Sequence, residues 1–531
     1  MTQTIIRKWR WPLLLTGALL LGFSVIFPQI GLVEWVALVP ALPVIFDLVA
    51  DPTVKLRRLF GIGFLFFLSY LLVTFHWFLY MYPLDFAGMS RPASALVVSV
   101  AWIGLSMFQA IGAALIFPLM AVAVRGKWLS RHSILHPILF AAMWTSLEWW
   151  WAHSGWSGVP WSRLALGQAH ILPAMQSAFF FGSYAISFLI LAVNGLIAHL
   201  LLHPNRRVLC GALAAGLFFG NLGVGALRLA THREEGRTIK AAAIQGNKSS
   251  LEHWSFGTVD DVMDTYANLT REAVAAGAEL VVWPETSIPM NIDRDSSVYD
   301  YVTSLAYECR VPILAGLLTQ VKEGSTQDYN SIVAVLPDGT VHKTVYNKRN
   351  PVPFGEFVPF RRLVTTLIPP LAGINTLDSD IPAGEDSEVF DLSFGNVGPL
   401  ICFDSIYEQN AVDSVRNGCE VLAVSTNDSW FRDSRGVWMH HAQSQLRAIE
   451  TGRYVVRSAN TGVSSIITPT GEVTESLGAL ITGYVLDEVT LCRNITPYMV
   501  MGNVFVYLCI VAMAAALSAP ILERIFEKRK P

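Results

Sequence analysis

Cys402 closes a run of small and apolar residues, 398–401, and acidic residues and a predicted helix follow it. A buried strand that ends at this position would present the thiol at a strand-to-helix turn, where a substrate can reach it and neighbouring groups can orient it. Free cysteines also serve as small buried hydrophobic residues. Cys402 alone therefore does not identify a nucleophile, and its interpretation depends on two other segments.

Glu285 comes directly after a predicted strand, 279–283, that is apolar from Leu280 onward, and Pro284. The proline favours extended geometry in the residue before it and ends the strand. A carboxylate at such a strand end is well placed to act as a general base. The alternative is a cap on a turn or helix.

Lys348 lies in a loop, 346–356, that is dense in proline and glycine and therefore constrained. A lysine beside a partly dry site can stabilise a developing oxyanion. The alternative is a solvated loop lysine. Glu356, in the same loop, either orients Lys348 through an ion pair or faces water.

The segment that carries these three residues is predicted to be an α/β layered fold, because apolar strands alternate with helical patterns. Helices are predicted near 258–277, 297–308, 407–418 and 436–452. The predicted strands are 238–247, 279–283, 311–320, 329–337, 340–347, a strand into Cys402, 420–425, 454–459 and 464–468.

Taken together, Glu285, Lys348 and Cys402 resemble the catalytic triad of the nitrilase (carbon–nitrogen hydrolase) superfamily. The match includes Trp-Pro-Glu-Thr at 283–286, Pro-Phe-Gly-Glu at 353–356 and the chain order Glu, Lys, Cys. The resemblance covers about 235–490. It implies an αββα sandwich with the site at the strand ends, a cysteine nucleophile, a glutamate base, and an oxyanion bound by the lysine and the backbone N–H of residue 403.

Composition places another part of the chain in lipid. Hydrophobic residues make up 53% of the 531 residues and charged residues 15%, against about 25% charged in soluble domains. A membrane-spanning helix needs about 20 apolar residues. The sequence predicts about eight such helices, an α-helical membrane bundle, near 11–28, 30–49, 59–81, 94–124, 133–151, 171–202, 208–229 and 498–521.

Basic residues cluster at the N-terminus, on alternate loops and at the C-terminus. Because positive charge is enriched on the cytoplasmic side, both termini are predicted to be cytoplasmic and the large middle segment to lie on the far side. The predicted domains are a seven-helix transmembrane domain (1–230), a catalytic domain (231–497), and a C-terminal helix with a basic tail (498–531).

Several function classes find no support. The net charge of -3 gives no reason to expect nucleic acid. The six cysteines form no C-x-x-C pair. There is no glycine-rich phosphate loop, and His440 and His441 are adjacent, which is more typical of structural histidines than of metal ligands. We therefore predict no metal and no cofactor.

The whole arrangement resembles the apolipoprotein N-acyltransferase family, with further matching motifs at 245–247, 426–431 and 447–453. The resemblance implies that an acyl chain passes from a phospholipid such as phosphatidylethanolamine, through a cysteine thioester, to the α-amino group of the diacylglyceryl-cysteine of an apolipoprotein. It implies a bacterial inner-membrane protein with a periplasmic catalytic domain. Phe403 and Asp404 stand where many members carry Tyr-Glu, so the acid is kept in type and a tyrosine hydroxyl is absent.

Four aromatic residues are candidates for substrate contact: Trp161, Trp254, Phe354 and Phe357. Core packing, or an aromatic belt at the membrane interface for Trp161, is the alternative. Two other functions stay open at this stage. A membrane-tethered nitrilase-type amidohydrolase would use the same triad with water as acceptor. A transporter or receptor is disfavoured by the few charges in the apolar runs.

Overall fold

The computed structural model describes residues 3–84, 89–248, 259–288, 290–367 and 380–528. The chain forms two compact units. The first comprises Met1–Leu79, Val97–Thr231 and Val500–Pro531, and the second comprises Tyr80–Leu96 and His232–Met499.

The first unit is helical. Its helices are α1 (Gln3–Ile26), α2 (Leu42–Ala50), α3 (Leu56–Thr74), α4 (Arg91–Ala114), α5 (Ile116–Val124), α6 (Lys127–Arg131), α7 (His136–His153), α8 (Leu172–Met175), α9 (Ser177–Phe181), α10 (Ser183–Leu202) and α11 (Arg207–Thr231). The first residues of α4, up to Leu96, belong to the second unit. Near the end of the chain α17 (Pro497–Met501) leads into α18 (Val504–Lys528).

Among the described residues, six helical segments are long and apolar enough to cross a membrane: Thr4–Ile26, Leu56–Thr74, Arg91–Val124, Ser183–Leu202, Pro204–Thr231 and Val504–Ile525. The predicted run 30–49 is instead a 3-10 helix, Pro28–Trp35, followed by the short α2. Prolines at 28, 40 and 43 interrupt helical hydrogen bonding there. The predicted run 133–151 forms α7, of 18 residues. The count of eight spans stays a prediction.

The second unit contains two six-stranded sheets. Their strand orders are β12-β1-β2-β3-β4-β5 and β11-β10-β9-β8-β7-β6. The strands are β1 (Thr238–Gln245), β2 (Leu280–Val282), β3 (Ile313–Gln320), β4 (Asp328–Val335), β5 (Val341–Asn347), β6 (Phe390–Leu392), β7 (Gly395–Ile401), β8 (Val421–Thr426), β9 (Val455–Ala459), β10 (Ser464–Ile467), β11 (Val473–Leu477) and β12 (Gly483–Thr490). The helices are α12 (Val259–Ala275), α13 (Ser296–Cys309), α14 (Arg361–Leu367), α15 (Glu408–Arg416) and α16 (Arg435–Thr451).

Alternating side chains sort this unit into four layers, since successive residues of a strand point to opposite faces. Ala241 and Val282 of one sheet share a core with Ile401 and Ala423 of the other, so the sheets pack face to face. The outer face of the first sheet packs on α12 and α13. The outer face of the second packs on α15 and α16. The predicted αββα sandwich is confirmed.

The direction of the strands places the candidate residues just after the carboxyl ends of strands. β1, β2 and β3 are parallel, as are β7, β8 and β9. Glu285 follows the carboxyl end of β2, Cys402 that of β7, and Asn427 that of β8. β5 lies two antiparallel steps from β3 and so runs in the same direction, which brings Lys348 to the same edge.

Candidate functional site

Cys402 is the first residue after β7 and opens a 3-10 helix, Cys402–Ile406. Its φ is 48°, in the left-handed region, and its side chain is 6% exposed. This conformation costs a non-glycine residue about 1–2 kcal/mol. Local hydrogen bonds hold it: Ser405 Oγ donates to the Cys402 carbonyl (2.7 Å), and the Ile401 N–H donates to the Asp404 carboxylate (3.3 Å). The turn lifts the thiol out of the strand.

Lys348 is the central charge of the site. Its Nζ lies 2.6 Å from Oε1 of Glu285 and 2.8 Å from Oε2 of Glu356, and its side chain is 1% exposed. Burial alone would lower the pKa of Lys348, but the negative charges of Glu285 and Glu356 outweigh it and raise that pKa well above its usual value. The ammonium therefore stays charged inside the protein, paired on two sides.

Glu285 is fixed by further donors. Asn330 Nδ2 donates to Oε1 of Glu285 (2.8 Å) and to Oε1 of Glu356 (2.8 Å), so one amide bridges both carboxylates. The backbone N–H of Asn427 donates to Oε2 of Glu285 (2.9 Å). Asn330 was not among the residues predicted from the sequence. The available signal was a lone asparagine in β4, two residues before the apolar run 332–335.

The surroundings of Cys402 favour the neutral thiol over the thiolate. Burial, and next the negative charge of Glu285, raise the pKa of Cys402 well above its ordinary value, and Asp428 adds to the rise. Lys348 and a hydrogen bond from Thr426 act in the opposite direction without offsetting it. A nucleophile in this state needs a base at the moment of attack, and Glu285 is the adjacent carboxylate.

The remaining predicted residues take different positions. Asp404 is buried and accepts from the Tyr346 hydroxyl (2.8 Å) and the Asn350 N–H (2.8 Å), which ties the lysine loop to the cysteine turn. Burial raises the pKa of Asp404 to about 6, against the opposing effect of Lys348. Phe403 is buried with its ring edge-on to Tyr407, the centroids 6.2 Å apart.

Of the four predicted aromatic contacts, Phe354 is 38% exposed with a φ of 64°, and its N–H donates to the Phe357 carbonyl (2.7 Å). Phe357 is half-buried. Trp161 is fully buried in the helical unit, with its ring 4.9 Å from that of Trp77. Trp254 lies outside the described residues. A role in substrate contact stays a prediction for all four.

A second buried charge network lies behind the cysteine, and the sequence analysis did not foresee it. Asp428 bonds Nδ1 of His440 through Oδ1 (2.8 Å) and Nη2 of Arg457 through Oδ2 (3.0 Å). Burial would raise the pKa of Asp428, but its interactions with His440 and Arg457 lower that pKa to about 2. α16, which carries His440, begins at its cap Ser434 and ends at Gly452, whose φ is 65°.

The same network could in principle hold an ion, because Cys402 Sγ, an Asp428 oxygen and an His440 nitrogen lie within 4.8 Å of one another. Thiolate, carboxylate and imidazole are zinc ligands. Here, however, Asp428 and His440 already bond each other, and Arg457 occupies the second carboxylate oxygen. The expectation of no metal stays a prediction.

Residues 240–493 match the carbon–nitrogen hydrolase family, and residues 17–196 match the apolipoprotein N-acyltransferase N-terminal domain. An apolipoprotein N-acyltransferase of Gloeobacter violaceus is 31% identical over 90% of this chain and 87% of its own. One of Geobacter metallireducens is also 31% identical, over 73% and 74%. Among solved structures, Saccharomyces cerevisiae Nit3, of the nitrilase superfamily, aligns at a TM-score of 0.38 and 17% identity over 48% of this chain and 91% of its own.

Identity at this level along most of both chains, together with the two family matches, fixes the relationship. The nitrilase-type α/β domain suits acyl-transfer chemistry, and the apolar helices make the protein membrane-integral. The chain belongs to the apolipoprotein N-acyltransferase family and is an acyltransferase.

Proposed function

We propose that the protein transfers an acyl chain from a phospholipid of the phosphatidylethanolamine type to the α-amino group of a diacylglyceryl-cysteine at the start of an apolipoprotein, through a thioester on Cys402. The observation that carries this proposal is the buried Glu285–Lys348 pair, 2.6 Å apart, at the strand edge that also presents Cys402. No metal or cofactor enters the proposed mechanism.

In the first half-reaction Glu285 takes the proton from Sγ of Cys402 as the sulfur attacks the ester carbonyl of the donor. Negative charge develops on the carbonyl oxygen, and Lys348 with the backbone N–H of Phe403 stabilises it. When the intermediate collapses, the carbon–oxygen bond breaks and the lysophospholipid alkoxide takes the proton from Glu285. The acyl chain remains on sulfur as a thioester.

In the second half-reaction the α-amine of the acceptor attacks the thioester carbonyl. Glu285 now takes a proton from the amine, the same two donors hold the oxyanion, and the carbon–sulfur bond breaks. The departing thiolate takes this proton from Glu285, which regenerates the resting thiol and the carboxylate. A thioester suits this sequence because it reacts readily with amines and persists where water is excluded.

The proposal assigns residues 1–230 and 498–531 to the bacterial inner membrane and residues 231–497 to a catalytic domain on the periplasmic side, with both termini in the cytoplasm. Two substrates that are anchored in lipid favour a catalytic domain carried by membrane helices. The supporting observation is the alternation of basic clusters along the chain.

The test is the fate of a labelled acyl chain. Purified protein is mixed with acyl-labelled phosphatidylethanolamine and a diacylglyceryl-cysteine peptide, with an N-acetylated copy of the peptide as control. Label in an amide on the free-amine peptide alone supports the proposal. Label that appears only as free fatty acid, at the same rate with either peptide, would instead favour a hydrolase that uses water as the acyl acceptor.

A further inference from the structure

His440 touches the main chain of the catalytic cysteine. Its Nε2 lies 3.2 Å from the carbonyl oxygen of Cys402, and its Nδ1 lies 2.8 Å from Asp428 Oδ1. A carbonyl oxygen only accepts, and a carboxylate that pairs with Arg457 accepts as well. For His440 to bond both oxygens, each ring nitrogen has to be the donor, Nδ1 to Asp428 and Nε2 to the Cys402 carbonyl.

The Cys402 carbonyl has a second donor. Ser405 Oγ donates to it at 2.7 Å and lies 3.3 Å from His440 Nε2. The Ser405 hydroxyl and the His440 imidazole thus converge on a single buried oxygen.

That oxygen belongs to the peptide that the mechanism uses. The carbonyl of Cys402 and the N–H of Phe403 are parts of one planar trans unit and point in opposite directions. Whatever fixes the carbonyl also fixes the direction of the N–H. Donors on the oxygen polarise the peptide and make its N–H a better donor, since hydrogen bonds in a chain strengthen one another.

We propose that His440, assisted by Ser405, is a positioning residue for oxyanion stabilisation: it orients and polarises the Cys402–Phe403 peptide so that its N–H meets the developing charge. This inference rests on the proposed function, which assigns the oxyanion to that N–H and Lys348.

The surroundings of His440 suit this role. Its ring is fully buried, and Asp428 is held in turn by Arg457 (3.0 Å) and Thr426 (3.1 Å), so the imidazole cannot turn away from the cysteine. His441, the next residue of α16, is also buried but bonds Ser465 on β10 (2.9 Å). His441 is therefore a matched control, of the same type and on the same helix.

The test separates oxyanion chemistry from the reactivity of the sulfur. We compare His440→Asn, which keeps a donor for Asp428 but is too short to reach Cys402, with His441→Asn. Two rates are measured on each full-length protein in detergent: acylation of Cys402 by phosphatidylethanolamine, and alkylation by iodoacetamide. Only the first passes through an oxyanion. We expect His440→Asn to lower acylation roughly 10- to 100-fold, below the 10²–10³ of losing a direct donor, with alkylation unchanged. The control should match wild type in both.

A parallel fall of both rates would overturn the inference, because His440 would then only hold the sulfur, and so would unchanged acylation. If His440→Asn does not fold, Ser405→Ala removes the other donor, the hydroxyl, to the carbonyl oxygen of Cys402. It should lower acylation alone by about fivefold, as for one neutral hydrogen bond, and an unchanged rate would overturn the inference. If the wild-type protein is acylated and the variants are acylated at the same rate, this inference alone is overturned. If the wild-type protein is not acylated, the proposed function is overturned, and this inference with it.

Discussion

At the scale of single residues, the site combines two buried charges, Glu285 and Lys348, with the half-buried Glu356 and the thiol of Cys402. The lysine sits within 2.8 Å of both carboxylates, so neither acid is left as an uncompensated buried charge. Glu285 is at once anchored by Asn330 and Asn427 and close enough to Cys402 to raise the pKa of its thiol. A base held this firmly can collect the thiol proton without moving far.

Replacing Glu285 by Gln should separate basicity from charge. Acyl transfer should fall by roughly 10²–10⁴, the usual contribution of a general base. The negative charge of Glu285 raises the pKa of Cys402, so its removal lowers that pKa, and thiolate forms at lower pH. The midpoint of iodoacetamide alkylation against pH should therefore move down.

Glu279→Gln is the control for this change, since Glu279 is an exposed carboxylate just before the same strand. The charges that act on the thiol from other elements, Lys348 and Asp428, are the same in both variants. An alkylation midpoint that stays in place or rises in Glu285→Gln would contradict this electrostatic account.

Asn330→Ala should leave Glu285 and Glu356 each without one donor, since the Asn330 amide bonds both at 2.8 Å. Loss of a hydrogen bond to a charged group costs about 1.5–3 kcal/mol. We expect kcat/KM for acyl transfer to fall roughly 10- to 100-fold, with the folded protein recovered in normal yield. Asn330→Ala with wild-type kcat/KM would show that the bridge is dispensable.

At the scale of elements, close packing against β3 fixes the position of Glu285. A methyl group on Gly316 would come within 2.2 Å of the Pro284 carbonyl and 2.9 Å of Cα of Glu285. The backbone N–H and hydroxyl of Ser287 both donate to the Gly316 carbonyl at 2.9 Å, which closes the turn onto the strand. The position of Glu285, the proposed general base, therefore depends on a glycine about 30 residues further along the chain.

Gly316→Ala should push the 284–286 turn away from β3 and reduce acyl transfer by at least about tenfold, since small misplacements of reacting groups are costly. Gly478→Ala serves as the control, because its added methyl would meet only the flexible end of Ile481 at 3.5 Å. Melting temperature and activity are measured on both. Equal activity of the two variants would refute the dependence on close packing.

Elements that carry a continuous apolar run could be predicted from the sequence. They include the strands that precede Glu285 and Cys402. The short β6 and the largely exposed β11 were missed because neither has such a run. The bridge from Asn330 to Glu285 joins residues 45 apart in the chain. It depends on the register of β4, which no local pattern specifies. The pairing of His440 with the Cys402 carbonyl was missed because it depends on how α16 packs beside the cysteine turn, which no local pattern specifies.

At the scale of the whole molecule, the second unit alone contains the residues of the proposed mechanism. The sandwich brings them together because parallel strands of both sheets end at the site. The first unit, which includes α18, carries the six described segments that could span a membrane, apart from the first six residues of Arg91–Val124. In 30–49, where one apolar run was predicted, prolines divide the chain into a 3-10 helix and a short α-helix.

The proposed orientation predicts which surface positions a membrane-impermeant maleimide can reach. Gln327, exposed between β3 and β4, lies in the predicted periplasmic domain, whereas Ser130, exposed in α6, lies in a predicted cytoplasmic loop. With Cys309→Ser as background, Gln327→Cys should be labelled in intact spheroplasts and Ser130→Cys only after permeabilisation. The reverse pattern would invert the proposed orientation.

The central claim is a thioester on Cys402, and the intact mass of the protein tests it most directly. Full-length protein in detergent is incubated with phosphatidylethanolamine and no acceptor, beside Cys402→Ala and, as a control, Cys419→Ala, which changes another buried cysteine. We predict a mass gain of one acyl chain in wild type and Cys419→Ala that neutral hydroxylamine removes, and no gain in Cys402→Ala. Folded wild-type protein without this adduct, or an adduct that persists in Cys402→Ala, would contradict the account.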